Sequence, residues 1–212
     1  MATTALPPAW QEVAIITVKP FDGTAREFMA ITETISIDTP DYPGESIVSL
    51  AGGRIWKQGP QEDGELTLEL YPVRANDVDN GGFEQYYTGG ALDTTEPILT
   101  DTTTVLAAGV QATRKGYLVA ILWTDDVTAA DASGLQKVDN KAYRRFYAKN
   151  ARVISYKEDF TDKILKATVM FKFPPVTFDG LRRNFRWETT DITNTTSDRL
   201  SAITYTTTDF KK

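Results

Sequence analysis

"AYRRFYAKNARVISYKEDFTDKILKATVMFKFPP", residues 142–175, is the stretch whose reading decides the fold. Its second arm places Leu165, Ala167, Val169, Phe171 and Phe173 on one side and Lys166, Thr168 and Lys172 on the other. A repeat of two is the signature of a strand with one buried face. The polar run "EDFTDK" (158–163) between the arms reads as a turn, so the whole is a β-hairpin. Asn150 is the expected site of a bulge in the first arm.

The same period recurs upstream. In "GELTLELYP" (64–72), Leu66, Leu68 and Leu70 share one face, and Glu65, Thr67, Glu69 and Tyr71 share the other. The preceding "ESIVSLAGGRIWKQGPQED" (45–63) is an apolar approach broken by Gly52-Gly53, then a charged turn around Gly59-Pro60. "WQEVAIITVKPF" (10–21) and "FMAITETISID" (28–38) read as strands, the latter with Ile31, Ile35 and Ile37 on one face and Thr32, Thr34 and Ser36 on the other. "RKGYLVAILWTDD" (114–126) is a continuous apolar run, expected as a strand covered on both faces.

Between these lie loops at 39–45 and 125–141, a short helix expected at 81–88, and Thr-rich stretches at 92–109 and 186–212. Seven to nine strands against one short helix point to an all-β sandwich or barrel. A chain of 212 residues fits a single β domain, here 1–212, with an N-terminal arm (1–9) and a C-terminal extension (189–212). No run of about 18 apolar residues is present to span a membrane. "MATTALPPAWQE" has no basic region ahead of an apolar one, so no conventional signal peptide is expected.

Composition narrows function by exclusion. The chain has no Cys and no His. Thiol nucleophiles, thiolate metal sites and imidazole bases are therefore absent. The carboxylate neighbours Glu62-Asp63, Asp125-Asp126 and Glu158-Asp159 all fall in expected turns, where acids sit for geometry and hydration. "DVDNG" (77–81) lacks the Glu that closes a calcium loop, since its twelfth position is Thr88. No catalytic, cofactor-binding or metal-binding residue is assigned, and no enzyme activity is expected. A net charge of −6, from 23 basic and 29 acidic residues, gives no clustered cations for gripping phosphate.

Two segments carry a resemblance. "AITETISIDTPDYPGESIVSLAGGRIWKQGPQEDGELTLELYPV" resembles a segment of the major tail tube proteins of long-tailed (siphovirus-like) viruses, with its "GGR" turn and "TLELYP" strand. "FYAKNARVISYKEDFTDKILKATVMFKFPPVTFDGLRRNFRWETTD" is similar to the closing hairpin of such proteins, down to the Pro-Pro after the strand. The resemblance implies a β-sandwich or barrel with a flanking helix, joined six to a ring. The rings stack into a virion tail tube through which the genome passes during ejection and host entry. It also implies assembly in the host cytoplasm and contact with tape measure, tail tip and tail terminator proteins. DNA would pass without specific binding, and no membrane or cofactor would be involved. Under this reading Glu65, Thr67 and Glu69 are candidate lumen-facing residues, on a wall with more acids than bases. Ile203, Tyr205 and Phe210 are candidate inter-ring contacts on a solvated tail. The rival is a carbohydrate- or receptor-binding β-sandwich, using Trp56, Trp123 or Trp187 to stack sugars.

Overall fold

The computed structural model describes residues 13–20, 25–29, 32–49, 52–70, 116–124, 143–161, 164–177, 179–189 and 203–206. Of these, 72% lie in strands and none in a helix, which makes the fold all-β. The strands are β1 (Val13–Pro20), β2 (Arg26–Met29), β3 (Thr32–Asp38), β4 (Gly44–Val48), β5 (Arg54–Gln58) and β6 (Gly64–Leu70). They continue as β7 (Tyr117–Thr124), β8 (Tyr143–Thr161), β9 (Ile164–Phe173) and β10 (Phe185–Thr189). Every described pairing is antiparallel, along the path β2-β1-β7-β8-β9-β6-β3, with β10 also on β8 and β4-β5 as a separate pair.

One strand joins two sheets. The first half of β8 pairs with β7, from Tyr143↔Thr124 to Ala151↔Tyr117, and with β10, from Arg144↔Thr189 to Ala148↔Phe185. Its second half pairs with β9, from Arg152↔Lys172 to Thr161↔Ile164. The change of partner falls at Asn150, which has φ 55, the left-handed region that Asn tolerates better than most residues. Register shifts flank it, between Val153 and Ser155 on one side and Tyr117 and Val119 on the other. Gly116 leaves room for it, because a Cβ there would collide with Asn150 Oδ1. This is the bulge expected at Asn150, and it is where β8 leaves one sheet for the other.

The core lies between the two sheets. Ile16, Val18, Tyr117, Val119, Ile121, Phe146 and Ala148 come from one, and Leu66, Leu68, Leu70, Ala167, Val169, Phe171 and Phe173 from the other, all in one buried cluster. Each large apolar side chain fully buried there contributes about 1.5–3 kcal/mol. Ile35 and Ile37 pack at its margin. Phe146, Phe173 and Phe185 meet with ring centroids 5.7 Å apart at each step. The reverse face of β7 is also covered, with Leu118, Ala120 and Leu122 fully buried, as its continuous apolar run implies.

Several sequence-based boundaries move. β8 runs on to Thr161, so Glu158 and Asp159 lie in a strand and not in a turn, because β9 pairs with them through Ala167 and Lys166. Residues 45–58, read as an apolar approach and a break, form the hairpin β4-β5. The expected helix at 81–88, the loop at 125–141 and the arm at 1–9 lie outside the described residues.

The bend makes a specific demand on Asn150. Replacing it with a β-branched residue, Asn150→Val, is expected to cost about 1–2 kcal/mol or more in urea unfolding. Asn150→Gly is expected to stay within about 1 kcal/mol of the native protein. Equal losses for both would show that the side chain, not the backbone conformation, governs this position.

Candidate assembly interface

The second sheet, β8-β9-β6-β3, has one face on the core and one face that carries mainly polar side chains. Across this outer face run Thr34, Glu69, Thr168 and Lys157, then Ser36, Thr67, Met170 and Ser155, then Asp38, Glu65, Lys172 and Arg152. Asp159 and Lys166 pair beyond them. Glu65, Thr67 and Glu69 therefore share one polar surface, alternating with the buried Leu66, Leu68 and Leu70. That surface is not acidic. Asp38, Glu65, Glu69 and Asp159 are matched by Arg152, Lys157, Lys166 and Lys172, with Glu65 directly opposite Lys172. Glu65 opposite Lys172 and Asp159 opposite Lys166 are favourable pairs, whereas Asp38 beside Glu65 and Arg152 beside Lys172 are like-charge neighbours, so the face is balanced in number and not pair by pair.

The two outer strands of this sheet are β3 and the second half of β8. Among the described residues β3 ends the path, and no strand pairs with β8 beyond Ala151 on the side taken by β7. The four strands alternate in direction, so β3 and β8 run opposite ways. Such edges are templates for pairing with another chain.

The two ends of the sheet differ. At one end β3 and β6 continue past Asp38 and Gly64 into the β4-β5 arm. Its root is tied by Glu62 N–H to Asp41 O at 3.1 Å and Gly59 N–H to Pro43 O at 2.6 Å. At Gly64 the ring of Phe173 and Pro40 press on the backbone so closely that no Cβ fits. All ten arm residues are exposed, among them Ile47, Val48, Ile55 and Trp56. The Trp56 ring sits against Gly44, where a Cβ would collide with it. At the opposite end lies the tip of the β8-β9 hairpin, beyond Ala167, where the described pairing of β6 with β9 ends. There the cross-strand pair Phe160 and Leu165 is exposed at 68% and 40%.

The C-terminal segment departs from expectation. Ile203 is buried against Leu118 and Ala120 of its own β7, and Tyr205 packs beside it. Lys19 donates to the Tyr205 hydroxyl and sits 4.8 Å from its ring centroid. An apolar residue finds cover on the nearest apolar face, and these two pack within their own chain. Phe210 lies outside the described residues.

Beside this region Arg145, fully buried, pairs with Glu188 through its Nε at 2.8 Å and through Nη2. Trp123 and Trp187 stack on each other at 5.8 Å, and Arg144 covers Trp187 at 4.7 Å. Trp56 is on the separate arm, so the three tryptophans form no common sugar platform. The β9-β10 connection is a braced turn. Thr177 N–H bonds Arg182 O at 2.8 Å, Leu181 N–H bonds Asp179 Oδ1 at 3.2 Å, and Asn184 Nδ2 donates to Val176 O at 2.6 Å. Its tip presents Leu181, 81% exposed. Among the described residues no group of three or more His, Cys, Asp or Glu is placed to hold a metal ion. No helix among them is long and apolar enough to cross a membrane.

Sequence reasoning had missed the arm. The available signal was the pattern Glu45-Ser46-Ile47-Val48 and Arg54-Ile55-Trp56-Lys57 around Gly52-Gly53, a hairpin pattern in which each face carries apolar groups.

No protein-family model and no curated sequence matches the chain. Similar solved structures are known. A chain of the anti-feeding prophage (AFP) baseplate shares 10% identity over 86% of this chain and 97% of its own, with a TM-score of 0.48. A chain in the PVC extracellular contractile injection system, sheath/tube terminator in extended state, shares 11% over 81% and 95%, with a TM-score of 0.45. An Hcp protein shares 11% over 84% and 93%, with a TM-score of 0.38.

The Arg145 pair generates a measurable expectation. Glu188→Ala removes the carboxylate from a buried guanidinium and is expected to cost about 3–5 kcal/mol in denaturant unfolding. Burial first, and then the charge of Glu188, raise the Tyr147 phenol above its ordinary 10.0. Its contribution to stability is thus complete below that ordinary value and is lost as pH rises through the folded one. Tyr147→Phe should flatten this alkaline loss in thermal melts; an unchanged alkaline profile would remove Tyr147 from the account.

Proposed function

We propose that this chain is a non-enzymatic structural subunit that forms a tube, the tail tube of a long-tailed virus. The observation that carries the reading is the β8-β9-β6-β3 sheet, whose two outer strands have, among the described residues, no partner on their outer edges and run in opposite directions. Adding β3 of one copy to β8 of the next continues the antiparallel alternation with every copy in the same orientation. Repetition of one such contact closes into a ring when the rotation allows, and closure removes both edges. Six copies per ring is the number that the sequence resemblance implies.

In that ring the core face is covered by each subunit's other sheet, and the polar face, with Glu65, Thr67 and Glu69, turns to the bore. Across this face four acids offset four cations in number, which weakens the pull on a polyanion passing through. The arm leaves one end of the sheet and the Phe160-Leu165 tip lies at the other, an arrangement suited to head-to-tail stacking of rings. Tape measure, tail tip and terminator proteins would meet the tube at its ends, in a virion assembled in the host cytoplasm.

Negative-stain microscopy of concentrated protein tests the reading: rings and tubes support it, and discrete monomers at all concentrations overturn it. Replacing residues 44–58 by a short glycine turn joins Pro43 to Gly59, which already share a hydrogen bond. This variant should keep its far-UV β signal and its melting behaviour yet form no tubes; normal tubes would exclude the arm from stacking. The bore is tested by Glu65→Lys with Glu69→Lys. Assembled variant tubes should sediment with short DNA while native tubes do not, and equal binding by both would place this face elsewhere.

A further inference from the structure

β9 begins beside one exposed apolar feature and ends in another. It starts at the cross-strand pair Phe160↔Leu165, and beyond Phe173 it passes into the braced turn that presents Leu181. The strand is 10 residues long, so the two features stand roughly 30 Å apart at opposite ends of the second sheet. They also lie on the same side of it. Phe160 and Leu165 fall two residues on from Glu158↔Ala167 and four on from Tyr156↔Val169, on the face that carries the core. The turn leads from β9 to β10, and so from the second sheet toward the first, with the rings of Phe173 and Phe185 5.7 Å apart at its base. A lone exposed leucine means little on a protein surface. Leu181 differs because its turn cannot fold it away. Gly180 holds φ 71 and donates its N–H to Thr177 O at 2.7 Å, Val176 and Arg183 form a β-bridge, and Lys149 N–H bonds Asn184 O at 2.7 Å.

We infer that the β9-β10 turn of one copy of this chain seats on the core-side face of the β8-β9 tip of a second copy, with Leu181 against Phe160 and Leu165 and with Arg183 paired to Glu158. The inference rests on the tube reading and names a contact separate from the β4-β5 arm. Charge and apolarity are complementary on the two surfaces. This face of the tip offers two apolar groups and one acid, Glu158, which accepts from the Tyr156 hydroxyl at 2.6 Å. The cations of the tip, Lys157 and Lys166, stand on the opposite face, opposite Thr168 and Asp159. The turn offers a leucine and two exposed arginines, of which Arg182 leans toward Asp179 at 4.0 Å. Within one chain Arg183 and Glu158 are held at opposite ends of β9, so they can meet only between copies. Because the two surfaces differ, the contact is heterologous: each copy gives one turn and receives one, and repetition propagates along the strand direction. The turn is already fixed by its own hydrogen bonds, so little further ordering is required on docking.

The test uses the full-length chain with its arm intact. Leu181→Ser, Arg183→Glu and Glu158→Arg change exposed side chains, so each variant should keep the native far-UV spectrum and melting temperature. Each should raise the protein concentration needed for tubes about tenfold or more. Arg183→Glu combined with Glu158→Arg should restore most of that loss, a rescue that separate local damage at the two sites would not give. A further measurement uses the absence of native cysteine. Leu181→Cys with Leu165→Cys, treated with a short bismaleimide, should give ladders of linked chains from assembled tubes and none from the dispersed subunit, because the two positions are too far apart to be bridged within one chain. Normal tubes from Leu181→Ser, no rescue by the charge reversal, or no ladder from assembled tubes overturns this contact and leaves the tube reading standing. Absence of tubes from the native protein overturns the tube reading, and this contact with it.

Discussion

A single β-strand has two edges, and β8 uses them differently along its 19 residues. In its first half both edges are filled, by β7 and β10; in its second half β9 takes one and no described strand takes the other. That asymmetry depends on the backbone turning at Asn150, where a positive φ and flanking register shifts redirect the strand. The bend is what lays one sheet over the other and creates the core between them; among the described residues it also leaves the second sheet with no strand on either outer edge.

From this follows a division of labour between the sheets. The first is buried on both faces over β1 and β7, with Thr17 and Arg145 fully inaccessible and Arg145 neutralised by Glu188. It is the self-sufficient part of the molecule. The second is half-finished: one face is apolar and covered, the other polar and charge-balanced, and its two ends carry exposed apolar groups. A net charge of −6 spread over a polar surface keeps free subunits apart at low concentration, while edges and ends remain available for association.

The braced turn between β9 and β10 illustrates a local version of the same economy. Asp179 accepts from the Thr177 hydroxyl and the Leu181 amide, and these bonds hold its carboxyl below the ordinary carboxylate value of 3.8. The group is fully exposed, so the effect is on the shape of the turn. Its hydrogen bonds fix the outward presentation of Leu181, and the buried Asn184 anchors the turn to Lys149 beside the bend.

The sequence alone determined the strands whose two faces meet different media. Leu66, Leu68 and Leu70 against Glu65, Thr67 and Glu69, and Leu165 to Phe173 against their lysines, were legible because burial on one face leaves a period of two. The bulge at Asn150 and the two-sided cover of β7 were legible for related reasons of backbone tolerance and unbroken apolarity. Which strands pair, and therefore which edges stay open, was not. Pairing joins residues far apart in the chain, and alternation is the same whichever neighbour a strand takes. The arm was missed because its apolar groups lie on both faces, which hides the one-sided alternation that marks a half-buried strand. Ile203 and Tyr205 looked like a solvated tail because only three dimensions place β7 beneath them. The charge balance across the second sheet also belongs to the tertiary structure, since Glu65 and Lys172 become neighbours only when β6 and β9 are in register.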